Sequence, residues 1–263
     1  MFQVANYVAG TISNYTIKFE KVFFEKDGLL HLLNALDYHD CRNRTHELKG
    51  FISEVLDAIR HLINIRIENS EKRFINLKGL PRIQYWLQGL PNNPNNFSTV
   101  PRKCLKSALA IVRQLSAFIE VQNILRKEEF VHQIIRIFIY FFDEIELNGN
   151  VDNGDSVKAM EILDQCNLCI IQFLLSYVQD NRKIMCDKVI VNIFKNILMK
   201  KDKFPSVQQK HACRILSLLA IEPEGAFAVL ECDPQIILEH LANPQNQNAQ
   251  DEQIKMIGKL LKN

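Results

Sequence analysis

The side chains of this 263-residue protein best suited to chemistry are seven cysteines, seven histidines and one acidic, glycine-containing run. Cys166 and Cys169 form a C-x-x-C pair, a spacing used to bind zinc or to cycle a disulfide. Zinc needs two further ligands, usually a second C-x-x-C or two histidines, and the nearest histidines in sequence, His132 and His211, stand alone. A redox pair belongs at a strand-to-helix turn, whereas these cysteines lie inside an apolar helical pattern. Small buried thiols are the reading that fits. Residues 148–155, N-G-N-V-D-N-G-D, superficially resemble a calcium loop. Asn148, Asn150 and Asp152 would be its first ligands. The required turn glycine then falls on Asn153 and the closing glutamate on Ala159, so the run reads as an exposed acidic loop suited to a secondary contact. His31, His39, His46, His61, His132, His211 and His240 form no H-E-x-x-H and no triad order. Neither G-x-G-x-x-G nor G-x-x-x-x-G-K occurs. The chain is therefore expected to be no enzyme and to need no cofactor and no metal.

Composition narrows the class further. Hydrophobic residues make up 47% of the chain, enough for a sizeable core, while only 9 Gly and 8 Pro occur, which favours helix over a strand-and-turn architecture. The net charge of +2 is too balanced for a typical nucleic-acid-binding domain. The best candidate for a membrane span, residues 134–142, is about half the length required. The start of the chain has no basic region followed by an apolar core. An odd number of cysteines inside helical patterns points to reduced thiols, and hence to the cytoplasm or nucleus.

The elements recur in a fixed order: a long helix, a polar connector, a short helix, a break and an apolar helix. The clearest copy is residues 55–90. A helix spanning 46–67, as one piece or two, ends in the polar connector 68–72. A short helix follows at 73–77, Gly79 breaks it, and Leu80-Pro81 opens a helix carrying Ile83, Trp86, Leu87 and Leu90. Other helices are expected at 2–12, 19–25, 29–36, 103–118, 121–126, 129–142, 158–178, 189–199, 208–220, 225–230, 234–241 and 252–261. Loops are expected at 91–101, 148–155 and 243–250. Ala58-Ile59 with Leu62, Ile63 and Asn64 overlays Ala108-Leu109 with Val112, Arg113 and Gln114, and also Ala212-Cys213 with Leu216, Ser217 and Leu218. The second-helix openings fall at Gly28, Gly79, Glu129, Lys188 and Pro234, at intervals of 51, 50, 59 and 46 residues. These intervals sit in or just above the helical-repeat range, and the excess lies in the two asparagine-containing loops. The dense run 130–142, F-V-H-Q-I-I-R-I-F-I-Y-F-F, reads as a central helix buried on nearly all sides.

The phrase A-[LI]-x-x-L-x-N-[LI], then N-x-x-[NR]-R, then an apolar helix opened by glycine resembles an armadillo repeat, most closely over residues 58–90. The resemblance implies an all-α fold: a right-handed armadillo-like superhelix, or α-solenoid, of about four full repeats with partial terminal repeats. It would form one domain over residues 1–263, a piece of a longer protein. In that family each repeat has three helices, and third helices line a concave groove that holds extended peptides. The nuclear-import members do so with Trp and Asn residues four apart. The matching pairs here are Arg60 and Asn64, Ala110 and Gln114, and Arg214 and Leu218. Only Asn64 keeps the asparagine, Gln114 is a partial substitute, and the sole tryptophan, Trp86, falls on a second helix. Basic localisation signals are therefore not the expected ligand.

The same positions carry another hint. Arg60, Lys106, Lys210 and Arg214 would project from third helices, and four-residue spacing keeps Lys210 with Arg214 on one side. Basic groups along a groove suit an acidic or extended partner segment. Solvated helix charge is the commoner reading of such residues on any surface helix. The expected role is a protein-binding scaffold or adaptor, with Arg60, Asn64, Lys106, Gln114, Lys210 and Arg214 at the partner. The alternatives are a nucleic-acid-binding repeat, which the charge balance argues against, and a homodimer formed through terminal repeats.

Overall fold

The computed structural model describes residues 22, 25, 27–37, 46–64, 70–88, 100–127, 129–148, 154–175, 183–221 and 223–231. The helices expected at 2–12, 234–241 and 252–261, the loop at 243–250 and most of the helix at 19–25 lie outside these residues, as do 91–99 and 149–153 of the two earlier loops. Eleven α-helices and no strand occur among the described residues. They are α1 (Gly28–Asp37), α2 (His46–Asn64), α3 (Ser70–Asn76), α4 (Gly79–Gln88), α5 (Arg102–Leu115), α6 (Ile119–Lys127), α7 (Phe130–Asn148), α8 (Gly154–Leu175), α9 (Lys188–Met199), α10 (Ser206–Leu219) and α11 (Pro223–Glu231). The fold is all-α.

Apolar spacing decides most of these helices. In α4, Gly79, Leu80, Ile83, Trp86 and Leu87 are buried, a single stripe at i, i+1, i+4, i+7 and i+8. In α9 the stripe is Ile190, Val191, Ile193, Phe194, Ile197 and Leu198. The run expected to be buried on nearly all sides does form the core of α7. Phe130, Val131, Gln133, Ile134, Ile135, Ile137, Phe138, Phe141 and Phe142 are buried, and only His132 and Arg136 are exposed within that stretch.

Three of the boundaries that differ from expectation have a clear cause. Ser70, Glu71 and Lys72, expected as connector, form the first turn of α3. Ser70 is fully buried there, and Glu71 suits the positive end of the helix dipole. Helix α7 continues six residues past Phe142, held by the buried Ile145 between charged neighbours that conceal the periodicity. Helix α8 begins at Gly154 rather than Lys158, because its first turn exposes Val157 and Lys158 and the apolar stripe starts only at Ala159.

The joints between short and second helices are built alike. Asp27, Lys78 and Glu129 all adopt left-handed backbone, with φ of 59°, 55° and 60°. They stand at intervals of 51 residues. Lys78 N–H donates to Ile75 O and Glu129 N–H to Arg126 O, closing the helices before them, while Asp27 O and Glu129 O accept from the N–H groups of His31 and Gln133 in the helices that follow. Gly79, expected to supply the break, therefore has another job. A Cβ there would lie 2.5 Å from the ring of the buried Phe74, so the glycine permits close approach of α3 and α4. The fourth joint is made differently. Asp187 caps α9 through its side chain, which accepts from Val189 N–H at 2.7 Å.

The chain divides into two compact units, residues 1–121 and 122–263, with α6 crossing the boundary. In the first unit α1 lies beside α4 and α2 beside α5. In the second, α7 lies beside α9 and α8 beside α10. Within each unit, then, helices of the same rank, one period apart in sequence, are neighbours in space. Apolar surface that one period would leave wet is covered by the next. Phe138 stacks on Phe194 with centroids 4.9 Å apart, and Phe142 on Phe204 at 5.6 Å.

The polar ties across these neighbours also span one period. On the second-helix side of the first unit, Arg73 binds Asp27, 46 residues away. Arg82 grips Asp37 with both fork positions, Nε to Oδ1 at 2.7 Å and Nη2 to Oδ2 at 2.6 Å. Its Nη1 also donates to the carbonyls of Leu77 and Lys78 at 2.6 and 3.1 Å. That hydrogen bond to Asp37 raises the Arg82 pKa above its ordinary value. In the second unit Lys200 and Lys203 converge on Glu146, Lys203 also donating to the Glu146 carbonyl near the end of α7 at 2.9 Å.

Candidate functional site

The residues expected at a partner face lie on the helices α2, α5 and α10. In the first unit, Lys103 Nζ on α5 donates to Glu54 Oε1 on α2 at 2.9 Å, a bond that holds the lysine pKa above its usual range. Ser107 Oγ donates to Asp57 Oδ1 at 2.8 Å. Arg60 Nε sits 3.4 Å from the same Asp57 oxygen, one helical turn along α2. Lys106 is half-buried and already engaged within the chain. Asn64 is exposed at the end of α2. Gln114 is half-buried, and its Oε1 is enclosed with no hydrogen-bond donor among the described residues.

The second unit solves the same packing differently. Asp164 on α8 is met by His211 Nε2 on α10 at 3.1 Å and by Gln208 Nε2 at 3.3 Å. Gln208 in turn accepts from Asn167 Nδ2 at 2.6 Å, and both Gln208 and Asn167 are buried. Lys210 and Arg214, one turn apart on α10, are exposed, and no carboxylate among the described residues pairs with either. Helix α10 contains no Asp or Glu.

The six expected residues thus fall into two groups. Arg60, Asn64, Lys106 and Gln114 share the α2–α5 pair of the first unit, and Lys210 with Arg214 occupies one stripe of α10 in the second. The rungs Glu54–Lys103, Asp57–Ser107 and Asp164–His211 were missed at the sequence level. A signal for them was present: the aligned alanines Ala58, Ala108 and Ala212 are each preceded by a polar residue, namely Asp57, Ser107 and His211.

The cysteines of the C-x-x-C pair are enclosed. Cys166 and Cys169 are fully buried free thiols. Burial, with Cys169 and Asp164 adding to it, pushes the Cys166 thiol well up, and burial raises Cys213 from 9.0 to about 12. Neither is a thiolate at neutral pH. Among the described residues no three His, Cys, Asp or Glu side chains are placed to hold a metal ion, and no helix is long and apolar enough to cross a membrane.

No protein-family model and no curated protein matches this chain. Among solved structures, the chain is similar to the crystal structure of an engineered protein, a Northeast Structural Genomics Consortium target. The two share 14% sequence identity at a TM-score of 0.67, over 99% of this chain and 90% of the other. At that identity the likeness is one of fold alone.

Proposed function

We propose that this chain is an armadillo-like superhelix acting as a non-enzymatic protein-interaction scaffold or adaptor of the cytoplasm or nucleus. Its third-helix faces take an extended segment of a partner protein. The observation that supports this reading most is that polar side chains stand exposed on these helices in both units: Asn64 at the end of α2, and Lys210 with Arg214 one turn apart on α10. Asn64 offers an amide to a peptide backbone, and Gln114, half-buried at the aligned position of α5, offers a second. Extended backbones are held in this way by side-chain amides and by pockets for alternate side chains.

Photo-crosslinkers at positions 64, 114, 210 and 214, compared with positions 88 and 192 on second helices, test the reading. Asn192 and Gln88 are exposed controls. Crosslinks from a native extract concentrated at the four third-helix positions are expected. Equal labelling at the controls overturns it.

A further inference from the structure

We infer that α10 is where a partner's negative charge is read, and that the segment bound there carries two carboxylates at alternate positions, Glu-x-Glu or Asp-x-Asp. This rests on the reading that third-helix faces take partner segments, and it adds where and what. Of the four cations expected at the partner face, Arg60 sits 3.4 Å from Asp57 and Lys106 is half-buried and engaged, which leaves Lys210 and Arg214. Lys210 and Arg214 are exposed and without a carboxylate among the described residues. The acid close at hand on α8, Asp164, is held by His211 and Gln208. Glu161, exposed on α8, is engaged elsewhere in the chain.

The spacing selects the ligand. Lys210 and Arg214 are separated by one helical turn, a rise of about 6 Å. In an extended peptide, side chains on one face recur at every second residue, about 6–7 Å apart. Two carboxylates at i and i+2 of a segment lying along α10 therefore meet one cation each, whereas adjacent carboxylates point to opposite faces. The stripe is bordered by apolar surface: Val207, one turn before Lys210, is 51% exposed, and Ile221, just past the helix, is 46% exposed. The segment that fits has apolar residues flanking the acidic pair.

Fluorescence anisotropy on the full chain tests this with short capped peptides of equal composition and charge, flanked by valine, one containing Glu-Ser-Glu and the other Glu-Glu-Ser. The Glu-Ser-Glu isomer is expected to bind about fivefold tighter, the size of one exposed ion pair. Lys210→Ala with Arg214→Ala should lower its affinity about tenfold, and Lys210→Arg should retain it. Arg60→Ala should leave it within about twofold. No measurable binding, or equal binding of the two isomers, overturns the inference. Binding that survives loss of Lys210 and Arg214 but falls with Asn64→Ala and Gln114→Ala also overturns it while leaving the scaffold reading intact. Tighter, Lys210-dependent binding of single-stranded RNA at physiological salt overturns the peptide class.

Discussion

The two units carry the same third-helix packing and opposite surface chemistry. In the first, Lys103 on α5 faces Glu54 one period away and Arg60 on α2 sits beside Asp57 one turn away. In the second, the carboxylate on α8 is consumed by a histidine and a glutamine, and the cations on α10 are left over. The buried stripes are equivalent, so the difference does not come from the fold. It comes from which side chain the neighbouring period places opposite. An array of this kind keeps its core pattern constant and varies the polar rung, and the rung decides whether a charge is structural or available.

The sharpest way to break the comparison is through the glycines that let helices touch. In the second unit, a Cβ at Gly225 would fall on the backbone carbonyl of Leu219 and lie 3.0 Å from Cys186 Sγ. Gly225→Ala is expected to cost more than about 3 kcal/mol, because backbone must move. Gly79→Ala in the first unit meets only the Phe74 ring and should cost about 1–3 kcal/mol. Denaturant midpoints measured by circular dichroism rank the two, and a reversed order would show that Phe74 is the less yielding neighbour.

The ion pairs come next. Arg82→Ala removes a two-pronged pair to Asp37 and two carbonyl contacts from a side chain only 20% exposed, and should cost about 2 kcal/mol. Lys103→Ala removes a pair whose lysine is 61% exposed, and should cost well under about 1 kcal/mol. Thermal unfolding in low and high salt checks both. An Arg82 variant no weaker than the Lys103 variant would mean the second-helix clip adds nothing.

Alkaline pH distinguishes the second unit. The Cys213 thiol rises from 9.0 to about 12 on folding, so the native state holds its proton more tightly than the unfolded chain does. The stability this contributes is whole below pH 9 and is lost as pH climbs from 9 towards 12. By pH 10 the loss from Cys213 should be about 1.4 kcal/mol, seen as a falling denaturant midpoint, and Cys213→Ala should lessen that slope, with Cys166, whose thiol burial also raises, supplying part of what is left. A slope unchanged in Cys213→Ala would assign the effect to another group.

Sequence pattern was a good guide wherever burial is one-sided. The stripes of α4 and α9 are plain in the order of their residues, and so is the enclosed run in α7. It was a poor guide where a helix turn touches solvent all round, as at the start of α8, or where a backbone angle does the work that a glycine was expected to do, as at Lys78. Overlaying aligned alanines grouped the six expected residues, which fall on α2, α5 and α10. What the overlay could not supply was their state. Arg60 and Arg214 occupy the same aligned position, yet one is answered by Asp57 a turn away and the other is not. That depends on neighbours which a column of aligned residues does not contain.

The left-handed joints at Asp27, Lys78 and Glu129 have a consequence for how such a chain changes length. Each seam has the same entry and the same exit: a residue with φ near 60° followed at once by a helix start. Linking residue 78 directly to residue 130, or repeating the segment 79–129, exchanges one such seam for another with the same local geometry. Length can thus vary in whole periods while every junction stays a junction the backbone already makes. Seams of this kind are natural points for gain and loss of modules by duplication and deletion.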